Sequence, residues 1–65
     1  MNREEIREKK RHGDLATAAE MIGVTRDHAA VIWQRPESKR YYELETALVR
    51  IIEAREQCLV SKVNN

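Results

Sequence analysis

Five residues between positions 26 and 34 carry side chains suited to reading the edges of nucleic-acid bases. Arg26 offers a planar fork of donors that matches the two acceptors of guanine, and Asp27 can accept from the amino group of cytosine. Gln34 can donate and accept in a pair with adenine, while Ala30 and Val31 present methyl groups of the kind that touch a thymine methyl. A second set follows directly. Arg35, Ser38, Lys39 and Arg40 place four phosphate-competent residues within six positions, and Thr17 adds a hydroxyl upstream.

Other chemistry is poorly provided for. His12, His28 and Cys58 stand 16 and 30 residues apart, and no CxxC, HxxxH or HExxH spacing occurs, so no metal site and no cofactor is expected. Cys58 reads as a small apolar residue. There is no glycine-rich phosphate loop, and His28 beside Asp27 reads as an outward helix residue rather than a general base. Sixty-five residues leave little room for a pocket that excludes water, so neither an enzyme nor a small-molecule substrate is expected.

The elements that must position the base-reading set are two short helices over residues 14–34. Leu15, Ala18, Ala19 and Ile22 fall at i, i+3, i+4 and i+7, one apolar face of a helix. Gly23 supplies a residue free to adopt the left-handed conformation that ends a helix, Val24 is apolar in the turn, and Thr25 can cap the next helix. In that second helix Ala29, Ile32 and Trp33 lie on one side, with Arg26, Asp27, Ala30, Val31 and Gln34 on the other. Two helices joined by a short turn containing Gly make a helix-turn-helix.

Through Ala19, Gly23, Val24 and Ile32, the stretch resembles the helix-turn-helix of phage Cro and repressor-type DNA-binding domains. GDLATAAEMIGVTR is also similar to the C-terminal helix-turn-helix of the Fis family. The likeness covers 21 of 65 residues. It implies a small regulator of transcription that binds double-stranded DNA, with residues 26–34 in the major groove and Thr17, Arg35, Ser38, Lys39 and Arg40 on phosphates. Such motifs more often carry Val or Ile at the position of Ala29. The two helices must therefore pack more closely here or lean on Trp33.

Composition fits a single helical domain over residues 1–65: 42% apolar, 35% charged, two Gly and one Pro. A chain of this length buries only about 60% of the surface its unfolded form exposes, so stability is marginal. A single cysteine forms no internal disulfide, MNREEIREKK has no apolar signal region, and no apolar run nears the roughly 20 residues that span a bilayer. A cytoplasmic protein without membrane contact is expected. The net charge of +1 counts against a nucleic-acid partner. Residues 1–40 hold nine Lys or Arg against seven Asp or Glu, and residues 41–65 hold three against four. The excess of +2 sits with the motif but is small, so weak non-specific affinity is expected.

Two flanking helices complete an all-α, four-helix bundle. Asn2 caps the first, with Glu5 as reciprocal partner of a capping box, and Ile6 is its only large apolar residue after Met1. Gly13 closes it and Asp14 caps the next helix. Lys9-Lys10-Arg11-His12 is either a solvated helix end complementing its dipole or a phosphate clamp. Pro36 ends the helix before it, and Ser38 caps a long final helix over about residues 39–59. In a chain without Phe, Trp33 reads as the main core residue. The final helix carries the stripe Tyr41, Leu44, Ala47, Leu48, Ile51, Ile52, Arg55, Cys58 and Leu59. The helices before it offer few large apolar side chains to cover its second half. A homodimer through Leu48, Ile51, Ile52, Arg55, Cys58 and Leu59 is therefore expected, presenting two recognition helices to half-sites about one DNA turn apart. The alternative is a helical protein-interaction module or mobile-element accessory protein without DNA binding.

Overall fold

The computed structural model of the chain describes the backbone of residues 1–64 and the side chains of residues 1–57. Four helices follow in order: α1 (Arg3–Lys9), α2 (Asp14–Ile22), α3 (Arg26–Gln34) and α4 (Tyr41–Asn64). The described residues contain no strand, and the fold is all-α as the periodicities indicate. No helix among them is long and apolar enough to cross a membrane.

The α2–turn–α3 hairpin forms for the local reasons its residues suggest. Gly23 takes φ +78°, and its N–H donates to the Glu20 carbonyl at 3.2 Å while the Val24 N–H donates to the Ala19 carbonyl at 2.9 Å. These are the paired bonds of a Schellman cap, which satisfies carbonyls that the helix end would otherwise leave free. A Cβ on Gly23 would meet nothing within 4 Å, so the demand for Gly here is conformational rather than steric. The Thr25 hydroxyl then accepts from the His28 N–H at 3.1 Å and opens α3. Ala18, Ala19 and Ala29 are all buried. Three methyl-sized side chains let α2 and α3 approach closely, the first of the two solutions open to a hairpin with Ala at position 29.

α4 is the spine against which α1, α2 and α3 all pack. Ile6, Leu44, Leu48 and Ile52 are the largest fully buried side chains. Burying each contributes about 1.5–3 kcal/mol, so Ile6 alone accounts for much of what holds the seven-residue α1 in place. Asn2 caps α1 by accepting from the Glu5 N–H at 2.8 Å.

Several local expectations are corrected. α1 ends at Lys9, with Lys10 extended, well before Gly13. Gly13 instead adopts φ +93° at the start of α2, and Asp14 is the first helical residue rather than a cap, its carboxylate turned back to the Arg11 N–H at 2.8 Å. α4 begins at Tyr41, not residue 39, because turns closed by Ser38 N–H to Arg35 carbonyl and by Tyr41 N–H to Ser38 carbonyl occupy the intervening residues. The Ser38 hydroxyl reaches only the Arg40 N–H, at 3.4 Å. Trp33 is half-buried at the edge of the core, stacked on Tyr41 with ring centroids 5.6 Å apart, and is not its centre.

The second half of α4 is largely covered within the protomer. Leu48 and Ile52 are 0% and 1% exposed within the single chain, and Ile51 packs against the same cluster. Arg55 forms an ion pair with Asp14. Four of the six residues expected between subunits are thus engaged inside the protomer, because α1 folds back over α4 and supplies the cover that its single Ile6 seemed too little to give. Cys58 and Leu59 lie outside the described side chains.

Candidate nucleic-acid interface

Ala29 and Ile32 turn the back of α3 into the core, which leaves its opposite face to solvent. Arg26, Asp27, Val31 and Gln34 are exposed there and Ala30 is half-buried, so the five candidate base-reading residues share one accessible surface. Val31 is 49% exposed. His28 is exposed beside it. Together with Ile32, Arg35, Glu37 and Ser38, these two line a shallow groove between α3 and the turn into α4. His28 was not among the residues expected to contact a ligand. Its position one after Asp27, and three before Val31, places it at the border of that outward face, beside Val31.

The candidate phosphate residues separate into two groups. Arg35 and Lys39 are exposed, and neither they nor Arg26 have an ion-pair partner among the described residues. Arg40 is committed elsewhere: its guanidinium donates to the Ile22 carbonyl at 2.6 Å and pairs with Glu43 at 3.0 Å. It closes the C-terminal end of α2, which explains its half-buried state and takes it off the list of free cations. Thr17 is exposed, but its hydroxyl donates to the Gly13 carbonyl at 3.2 Å. Ser38 is half-buried in the turn.

The basic run at the end of α1 is also largely committed. Lys9 pairs with Glu56 at 3.1 Å on the surface. Its carbonyl accepts from Arg55 at 2.8 Å, and the same guanidinium donates to both Asp14 oxygens at 3.2 and 2.9 Å. Burial of Asp14 works to raise its pKa. The Arg11 N–H and the bonds and charge of Arg55 outweigh that burial, so the carboxyl stays below its ordinary value. This four-point clasp, which ties α1, the turn and α2 to α4, had one signal in the sequence. An arginine on the apolar stripe of α4 needs an acidic partner once buried.

At the opposite end of α1, the Arg3 guanidinium carbon lies 4.9 Å from the centroid of Trp33 and 5.7 Å from that of Tyr41. Burial raises the Tyr41 pKa, the Arg3 charge opposes that, and the Glu45 charge adds to it. Among the described residues, no three His, Cys, Asp or Glu side chains gather where they could hold a metal ion. Compared with protein-family models, with curated proteins and with solved structures, the chain matches none of them.

Proposed function

We propose that the protein binds double-stranded DNA in a sequence-selective way, as a small regulator of transcription, with α3 in the major groove. The observation that supports this best is the outward face of α3. Donor, acceptor and methyl groups suited to base edges stand together in solvent, on a helix whose back is fixed by Ala29 and Ile32. Arg35 and Lys39, without an ion pair among the described residues and just beyond the end of α3, are the backbone contacts in this reading. The reading does not rest on a homodimer, since Leu48, Ile52 and Arg55 have partners within the protomer.

The test is selection from randomised duplex DNA, followed by affinity measurements on the selected site. Arg26→Ala is expected to weaken that site by about 1–3 kcal/mol and to relax preference at one base pair. An unenriched pool, or unchanged affinity in a folded Arg26→Ala protein, overturns the reading. The second reading, a protein-interaction module, draws on the net charge of +1 and on the groove between α2 and α4 beside Met21, which is 50% exposed. Retention on heparin at moderate salt favours DNA over that module.

A further inference from the structure

We infer that Arg3 is a positioning residue for α3, clamping the end of that helix from α1 and so setting how selectively its last residues read DNA. The inference rests on the reading of α3 as the DNA-facing element. α1 packs on α4 and makes no backbone approach to α3. Arg3 nevertheless reaches across, its guanidinium over the ring of Trp33 and beside that of Tyr41, which stack with an interplanar angle of 19°. Three helices therefore meet at one cation–aromatic stack.

The stack is what holds the guanidinium in place. The Arg3 Nη1 and the Tyr41 hydroxyl are both buried, and neither makes a well-aligned hydrogen bond among the described residues, although the hydroxyl lies close to both Arg3 and Glu45. Stripping a guanidinium nitrogen of water without replacing its bond is costly, and no ion pair among the described residues offsets it. The aromatic faces at 4.9 and 5.7 Å supply compensation, and attraction between a cation and a ring strengthens as water is excluded. An arginine serving only solubility would sit in solvent instead.

Position on α3 then gives the clamp a consequence. Ala29 and Ile32 anchor the middle of the helix through small and aliphatic contacts. Its last turn is held by Trp33, which is half-buried and directly precedes Gln34. Loosening Trp33 lets the end carrying Gln34 shift while the end carrying Arg26 keeps its Thr25 cap. Loss of the clamp should therefore blur selectivity at the base pair read near Gln34 and spare the one read by Arg26.

Trp33 is the sole tryptophan, so its emission reports on the clamp directly. The experiment uses the full chain and Arg3→Met, which keeps an apolar stem without the charge. Arg3→Lys, charged but not planar, is the second variant and carries the same comparison should Arg3→Met melt below the assay temperature. Each is titrated with the selected duplex and with a scrambled duplex, and Trp33 is probed by acrylamide quenching. Arg3→Met is expected to expose Trp33 to quencher and to lose about fivefold in affinity for the selected duplex, the order expected of one desolvated cation–aromatic contact. Affinity for the scrambled duplex should change by less than about twofold, since non-specific binding follows phosphate neutralisation. Equal losses on both duplexes would make Arg3 a phosphate contact and overturn the inference. So would unchanged selectivity with Trp33 exposed. If the unmodified protein prefers no duplex, the DNA reading itself fails, and that result comes from the parent chain before any variant is compared.

Discussion

The two junctions that flank the helical hairpin start from similar sequences and end in different states. Residues 9–14 and residues 35–40 each hold three cations and one acid in six positions. At the first junction the acid, Asp14, is buried to 8% exposure, bonded to Arg55 from 41 residues away, and Lys9 is tied to Glu56. At the second the acid, Glu37, is exposed without an ion pair among the described residues, and Arg35 and Lys39 are exposed beside it. One junction is a fastening and the other an open basic surface. Composition alone does not separate them. What does is whether a distant helix supplies a buried partner of opposite charge.

Breaking the fastening should have the largest effect. Asp14→Ala leaves the half-buried Arg55 unpaired and deprives the Arg11 N–H of its acceptor, which together should cost about 2–4 kcal/mol. In a domain this small each kcal/mol moves the melting midpoint by about 4–8 °C, so a fall of more than 10 °C by circular dichroism is expected. A shift of only a few degrees would mean that the clasp is no more than a surface ion pair. The pH dependence follows from the sign of the Asp14 shift. Its folded pKa lies below the unfolded value of about 3.9, so its contribution is fully present above that pH and disappears as pH falls through the folded pKa. Asp14→Asn should flatten that part of the acid limb.

Arg40 is where the comparison is sharpest, because it sits in the open junction and behaves like a member of the closed one. Arg40→Ala removes a charged donor from the Ile22 carbonyl and should cost about 1 kcal/mol, at the low end for such bonds because the side chain is 40% exposed. If Arg40→Ala proves neutral to stability but reduces DNA affinity, Arg40 belongs with the free cations after all.

Local signals were legible in the sequence, and pairings across distance were not. The Schellman turn at Gly23 and the caps at Asn2 and Thr25 depend on side chains within five residues of the backbone groups they satisfy, and each forms where the residue types put it. The outward face of α3 follows from a period of 3.6 residues and needs only Ala29 and Ile32 to orient it. Asp14 misled because its local option as a cap and its distant option as the Arg55 partner compete, and a buried arginine without an acid is the costlier vacancy. Leu48 and Ile52 misled for a related reason. Counting large apolar residues underestimated the cover available to them, since one fully buried Ile6 and a set of alanines bring three helices close enough to α4 to enclose its stripe.

The smallest stability effect belongs to the cations the structure leaves free, and there it is the contrast between two readouts that matters. Lys39→Ala removes no hydrogen bond and no ion pair among the described residues, so its stability should stay within about 0.5 kcal/mol of the parent, as for ordinary surface substitutions. Lys9→Ala removes an exposed pair with Glu56, and pairs of that kind contribute at most about 1 kcal/mol. By melting alone the two variants are barely distinguishable. By DNA binding they should separate. Lys39 adjoins the end of α3, so Lys39→Ala should weaken every duplex alike and reduce the slope of log affinity against log salt by about one, the signature of a lost phosphate contact. Lys9 is held by Glu56, so Lys9→Ala should leave that slope unchanged. Equal slopes for Lys9→Ala and Lys39→Ala would erase the distinction between the two junctions, and a slope change at Lys9 alone would place the basic surface on the other side of the hairpin.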